Sequence, residues 1–247
     1  MIQLFNGDCL EVMKSIPDKS IDAIITDPPY GTTACKWDSV IPFDLMWKQL
    51  NRIIKDNGAI VLFGSEPFSS ALRMSNIKNY RYDLIWNKIR AAGFLNANKM
   101  PLKQHENISL FYAKLPTYNP IKYLDKPYDK TKYNGKDIKE NVLGSYTSKS
   151  NKNNGERFPK SILEFSQNWS RQQQIHPTQK PVGLIEYLIK TYTNENETVL
   201  DFTMGSGTAG VACKNLNRKF IGIEMDKNYF DLAKKRIENH IVIKELF

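Results

Sequence analysis

The run Ile21-Asp22-Ala23-Ile24-Ile25-Thr26 constrains the fold more than any other stretch. It is apolar almost throughout instead of alternating, as expected of a strand covered on both faces. "AIVLFG" at 59–64 reads as another buried strand, and "TVLD" at 198–201 and "KFIGIE" at 219–224 as two more. Around them, "DLMWKQLNRIIK", "EPFSSALRMSNI", "VGLIEYLIKTYT", "AGVACKNL" and "NYFDLAKKRIENH" read as helices, the first from apolar residues at helical spacing. Strands that alternate with helices argue for an α/β fold with a mostly parallel sheet. "MIQLFN" adds a short strand, and Asp8 is expected to cap the helix "CLEVMKSI". Gly58 is expected to stop the helix that starts near Asp44, and Pro67 to sit in a first turn. "YDLIWNK" and "ENISLFYA" read as two further strands.

A chain of 247 residues, 41% hydrophobic, suits one large domain or one domain with an insertion. No window approaches 18 consecutive apolar residues, and the N-terminus lacks signal-peptide character, so a cytoplasmic protein is expected. Cys9, Cys35 and Cys213 show no metal or disulfide spacing, so no metal site is expected. Net charge is +9, which favours a polyanionic partner. The excess is concentrated: residues 115–171 hold 11 Lys and Arg against 6 Asp and Glu. There Lys122, Lys126, Lys130, Lys132 and Lys136 interleave with Tyr123, Tyr128 and Tyr133, which suits phosphate contact and base stacking. Regular structure is hard to assign in this segment.

Gly205, Gly207 and Gly210 fit G-x-G-x-x-G after a strand, and Glu224 ends the next strand, where a carboxylate suits ribose hydroxyls. The loop lacks the Gly-Lys-Ser/Thr of a P-loop, which disfavours ATP. Asp201, at the mouth of the loop, would repel a pyrophosphate and attract the ammonium and sulfonium of S-adenosylmethionine. That favours S-adenosylmethionine over NAD, although an NAD-dependent oxidoreductase stays as a remote alternative.

Asp27-Pro28-Pro29-Tyr30 then acquires a purpose. The amine of a nucleobase is a poor nucleophile, because its lone pair is delocalised into the ring. A site that methylates it must accept both N–H groups. Asp27 supplies one acceptor and the Pro28 carbonyl, fixed by successive prolines, the other. Tyr30 offers a flat face for an extruded base.

The set "NGD" at Asn6–Asp8, "TDPPY", "HPTQKP", "LDFTMGSGTAG" and "FIGIE" resembles the DNA amino-methyltransferases whose DPPY motif precedes the F-x-G-x-G motif. The resemblance implies a Rossmann-like S-adenosylmethionine-dependent methyltransferase sheet, circularly permuted, with 1–114 and 172–247 as catalytic domain. The basic segment 115–171 would be an inserted target-recognition region, in which Arg157 and Arg171 are unsupported candidates for base reading. Asp27, Pro28, Pro29 and Tyr30 would be catalytic. Asp8 would bind the cofactor adenine and Glu224 its ribose. Asp201, Phe202 and the loop of Gly205, Ser206, Gly207 and Thr208 would face the methionine end. Thr178 and Lys180 would lie near its carboxylate, Asp27 would border cofactor and base, and His176 is read as structural. The family usually has Asp-Pro-Phe where this chain has Asp201-Phe202-Thr203, so altered cofactor affinity is expected. The implied reaction is N6 methylation of a flipped adenine, with N4-cytosine the alternative, since Asp27 stands where N4 enzymes more often carry Ser. DNA is the implied partner, with room for a homodimer and a partner restriction endonuclease, in a bacterial or phage-encoded protein.

Overall fold

The computed structural model describes residues 1–32, 38–129, 152–167 and 179–242, together with the backbone of 137–138 and 146–147. His176, Thr178, Arg171, Lys130, Lys132, Lys136 and Tyr133 lie outside the described residues.

Eight strands form one sheet: β1 (Ile2–Asn6), β2 (Ile21–Thr26), β3 (Ile54–Gly64), β4 (Tyr80–Ala92), β5 (Lys103–Phe111), β6 (Ile162–Glu164), β7 (Thr198–Asp201) and β8 (Lys219–Glu224). Their order is β1-β8-β7-β2-β3-β5-β4-β6. The first five in that order run parallel, β5 is antiparallel to both β3 and β4, and β6 runs parallel to β4. The last two strands of the chain thus lie between its first two.

The helices are α1 (Cys9–Val12), α2 (Phe43–Ile53), α3 (Phe68–Ser75), α4 (Val182–Tyr192), α5 (Thr208–Asn215) and α6 (Lys227–Asn239). β2 shows why its run is apolar throughout. Ala23 and Ile25 join one core with Phe63, Trp86, Leu188 and Val199. Ile24, between them, joins the opposite core with Met46, Leu50, Leu62 and Leu200. Side chains of a strand alternate in direction, so a strand with helices on both faces needs apolar residues in both registers. No helix among the described residues is long and apolar enough to cross a membrane.

Two local expectations are corrected. α2 ends at Ile53, and Gly58 lies inside β3 instead of capping the helix. Ile54 pairs with Ile21, and Lys55 reaches Asp22 at 2.5 Å, so strand pairing overrides the helical spacing. Gly58 is required there by close packing: a Cβ would stand 2.6 Å from Ile54 Cδ1 and 2.8 Å from the Asp22 carbonyl. β4 and β5 also extend past the apolar runs that mark them, because an irregularity between Asn87 and Ala92 lets Ala92 pair with Lys103.

A second compact unit spans Pro120–Lys160, narrower than the basic segment 115–171 on both sides. It holds two-residue antiparallel ladders, 123–124 with 156–157, 128–129 with 152–153 and 137–138 with 146–147. Ladders this short leave no apolar period to read. Beyond the unit, β6 returns to the main sheet and buries Leu163 in its core. Within the unit, Arg157 donates to the Lys126 carbonyl at 2.6 Å and lies over the Tyr128 ring at 4.9 Å. Its guanidinium thus ties residues 126–128 to the strand segment 156–157.

Gly58→Ala is expected to cost about 1–3 kcal/mol, as overpacking of a close contact does. Urea unfolding of the variant checks this, and an unchanged midpoint would contradict the contact.

Candidate functional site

The site lies where β2 and β7 end. Leu200 pairs with Ile24, so two segments far apart in sequence reach the same sheet edge at the same level. Thr26 Oγ1 donates to Asp201 Oδ1 at 2.9 Å and accepts the Phe202 N–H at 3.1 Å. One residue further on, Thr203 Oγ1 donates to the Asp27 carbonyl at 3.1 Å. The strands' last residues therefore bind each other, and the turns that follow them open into one cavity of about 350 Å³.

Asp8, Asp27, Pro28, Pro29, Tyr30, Lys180, Asp201, Phe202, Gly205, Ser206, Thr208 and Glu224 all line that cavity. Gly207 caps α5 with φ of +73°, a conformation that favours glycine, and turns the loop into the helix. Asp8 caps α1 by accepting the Leu10 and Glu11 N–H groups at 2.7 and 3.3 Å. Glu224 accepts the Gly205 N–H at 2.9 Å through one oxygen and the Asp226 N–H at 2.9 Å through the other. Phe202 is buried in the core with Ile24, Leu200 and Ile223. In this chain the position after it, Thr203, makes the contact to the Asp27 turn.

Asp27 is the most heavily engaged group. Tyr30 donates its hydroxyl to Oδ1, and Lys180 donates to Oδ2. Lys180 also lies 3.3 Å from Glu106, which pairs with Lys88. The result is a row of alternating charges, Asp27–Lys180–Glu106–Lys88, laid over the rings of Phe63 and Trp86 at 5.2 and 5.9 Å from Lys180. Tyr30 stacks on Phe68 with ring centroids 5.1 Å apart, and Asp38 fixes the following turn by accepting the Gly31 and Thr32 N–H groups.

The electrostatics follow from burial. Burial raises the Asp27 pKa, with Glu106 adding and Lys180 opposing. Burial alone would lower Lys180, but Asp27 and Glu106 hold it above its ordinary value. Glu106, although buried, sits below its ordinary value because Lys180 and Lys88 flank it. Burial pushes Asp201 up to about 7 against the Thr26 and Thr203 donors, and burial likewise raises Glu224. The cavity is thus lined by the carboxylates of Asp8, Asp27, Asp201 and Glu224, with Lys180 committed to Asp27 and Glu106.

Sequence reasoning missed Glu106, Thr203, Thr26 and Asp38. Glu106 opens the apolar run "NISLF", and a charge at the head of a buried strand is a signal of a needed partner. Its partners sit on other elements, which a linear reading does not bring together.

A family model described as DNA methylase, of the N6 and N4 methyltransferases, matches residues 21–235. The chain belongs to this family. It is 30% identical over 257 residues to Type II methyltransferase M.BglII of Bacillus subtilis, which covers 94% of this chain and 67% of that protein. It is 29% identical over 260 residues to Type II methyltransferase M2.LlaDCHI of Lactococcus lactis subsp. cremoris, covering 95% and 88%. Among solved structures, the M1.HpyAVI-SAM complex superposes with a TM-score of 0.66 at 28% identity, over 96% of this chain and 99% of that one. PvuII DNA methyltransferase (cytosine-N4-specific) superposes at 0.69 with 19% identity, over 97% and 88%, a likeness of fold.

Lys180→Met would leave Asp27 and Glu106 facing each other without the cation between them. A loss of about 3–5 kcal/mol is expected. Asp27 keeps a raised pKa when folded, so its neutral form favours folding. Stability of the variant should fall as pH rises from the unfolded value of 3.8. Denaturant titrations at several pH values check this, and a flat profile would contradict it.

Proposed function

We propose that this chain is a DNA methyltransferase that uses S-adenosylmethionine to methylate the N6 amine of an adenine extruded from duplex DNA. One observation carries the reading: the Asp27–Tyr30 turn and the Gly205–Thr208 loop open into the same cavity, joined by the Thr203 to Asp27 contact.

The residues present fit the cofactor. Asp201 and Glu224 suit a ligand with an ammonium and ribose hydroxyls, and they would repel a pyrophosphate. We assign Asp8 to the adenine, Glu224 to the ribose, and Asp201 with Gly205, Ser206, Gly207 and Thr208 to the methionine end. Bound there, the cofactor supplies an electrophilic methyl on a sulfonium. Asp27 and the Pro28 carbonyl accept the two N–H groups of the target amine and so help its nitrogen become tetrahedral. Pro28 and Pro29 hold that carbonyl at a fixed angle. With the cofactor in place, Asp27 would also be the group that takes the amine's surplus proton as the nitrogen is methylated. Lys180 and the Tyr30 hydroxyl donate to Asp27 and keep it an acceptor, which burial alone would oppose. Tyr30 also stacks on the base. Thr178 belongs to the same reading, at the carboxylate of the cofactor.

Adenine is favoured over cytosine by Asp27. The unit Pro120–Lys160 and its flanks, the basic segment 115–171, serve as the target-recognition region, and the permuted segment order is part of the same reading. The type II relatives extend it to work beside a restriction endonuclease, with a homodimer as an open arrangement.

Incubation with methyl-labelled cofactor and unmethylated genomic DNA, followed by digestion to nucleosides, is expected to put label on deoxyadenosine. Label on deoxycytidine would overturn the base assignment, and no label on DNA would overturn the activity. Asp27→Ala should lower transfer at least about 100-fold while sparing cofactor binding.

Asp201 adds a pH signature. Its pKa is pushed up to about 7, and a bound cation would bring it down. Cofactor affinity should therefore rise with pH through about 7, with release of a proton, and Asp201→Asn should flatten the dependence. Calorimetry in buffers of different ionisation enthalpy measures both, and an unchanged proton count in the variant would contradict the role of Asp201.

A further inference from the structure

The β4–β5 hairpin carries a surface that the methyl-transfer site does not use. Residues 89–105 are all exposed, and within them Phe94 and Leu95 have 81% and 96% of their area in water. Ile89, Met100 and Leu102 are exposed beside them. Leaving an aromatic and a leucine in solvent forgoes the gain of burying them, so an exposed apolar tip marks a contact surface.

The tip has a defined shape. Gly93 turns the chain at φ of +89°, and Phe94–Asn96 form one turn of tight helix. The N–H groups of Asn96, Ala97 and Met100 close on the carbonyls of Gly93, Phe94 and Asn96 at 2.9 to 3.0 Å. At the neck, Ile89 has φ of +66°, a real outlier for a β-branched residue. It is braced by its N–H on Asn87 Oδ1 at 3.0 Å, an oxygen that Gln104 also holds. Strain of this kind persists where the bend it produces has a use.

Charge and position name the occupant. From Ile89 to His105 the exposed residues include Arg90, Lys99 and Lys103 and no acid, while Lys88 below them is held by Glu106. β5 is antiparallel to β3 and pairs Asn107 with Gly64, the last residue of β3. Residues 103–106 therefore run past the carboxyl end of β3, the edge at which Asp27 leaves β2. Lys103 donates to Ser65 at that edge, and Glu106 ties the hairpin's base to Lys180. A basic neck with an apolar tip, rising beside the cavity mouth, matches how proteins enter a base stack: cations on phosphates and an apolar wedge between bases.

We propose that the tip of this hairpin, led by Phe94 and Leu95, inserts into duplex DNA beside the target base and fills the gap that base extrusion leaves. The inference rests on the DNA-methylating reading above. Its occupant is duplex DNA, not a second copy of the chain.

The test is the double variant Phe94→Ser/Leu95→Ser in the full chain. Both side chains are solvent-exposed, so the fold should be kept, which equal unfolding midpoints would show. Transfer is measured on a duplex carrying the sequence that the wild type methylates, and on the same duplex with the target adenine opposite an abasic site. On the paired duplex the variant should lose about tenfold or more in kcat/KM, the scale of unaided unstacking. On the abasic duplex it should come within about threefold of wild type, because no base pair remains to be broken and no orphaned partner base needs its place held. KM for S-adenosylmethionine should not change. No loss on the paired duplex, or an equal loss on both, would overturn the wedge. So would a dimeric wild type that the variant turns monomeric with equal losses on both duplexes. A wild type that binds the cofactor and methylates no DNA would overturn the parent reading as well, and is told apart because the wild type itself is silent.

Discussion

The structure depends on one pairing at the centre of the sheet. β2 and β7 lie side by side and parallel, and the Thr26 hydroxyl locks their ends by bonding to Asp201 while receiving the Phe202 N–H. Parallel strands end on the same edge, so whatever follows each is delivered to one crevice. Here an acid and two prolines follow one strand, and a glycine loop follows the other. Without that register, the two segments would be unrelated turns on a surface.

Burial at this edge sets the chemistry. A carboxylate shielded from water is hard to keep charged, because desolvation favours the neutral acid. The row Asp27–Lys180–Glu106–Lys88 is the physical answer. Each charge is offset by its neighbour, and the far end, Lys88, lies on the strand that leads into the hairpin. The aromatic floor of Phe63 and Trp86 supplies a further attraction to the lysine without bringing in water. The same row links the base of the β4–β5 hairpin to the Asp27–Tyr30 turn, so the hairpin and the cavity share one support.

The basic segment has a different logic. Its lysines and tyrosines look from the sequence like a continuous binding strip, yet several charged groups hold the small unit together. Arg157 is held by Tyr128 and the Lys126 carbonyl, and Lys122 by Glu156 and the face of Phe158. A unit of about forty residues has little apolar surface to bury, so cation–ring contacts and ion pairs do more of the work of ordering it.

The sequence by itself marked the buried strands, most of the helices and many of the residues that line the crevice. Short apolar runs bounded by turn residues read as strands covered on both faces, and Asp27-Pro28-Pro29-Tyr30 and the glycines Gly205 and Gly207 stand out from a plain turn. It misread the end of α2, since Ile54 has as good a reason to be helical as to pair with Ile21 until the neighbouring strand is present. It was silent on Glu106, Thr203 and Asp38, whose roles are contacts to residues distant in the chain or across a turn. It gave no hint that the hairpin between β4 and β5 would stand clear of the core with Phe94 and Leu95 in water. Local propensity and periodicity are written along the chain, and pairing partners, desolvation and exposure are properties of the folded arrangement alone.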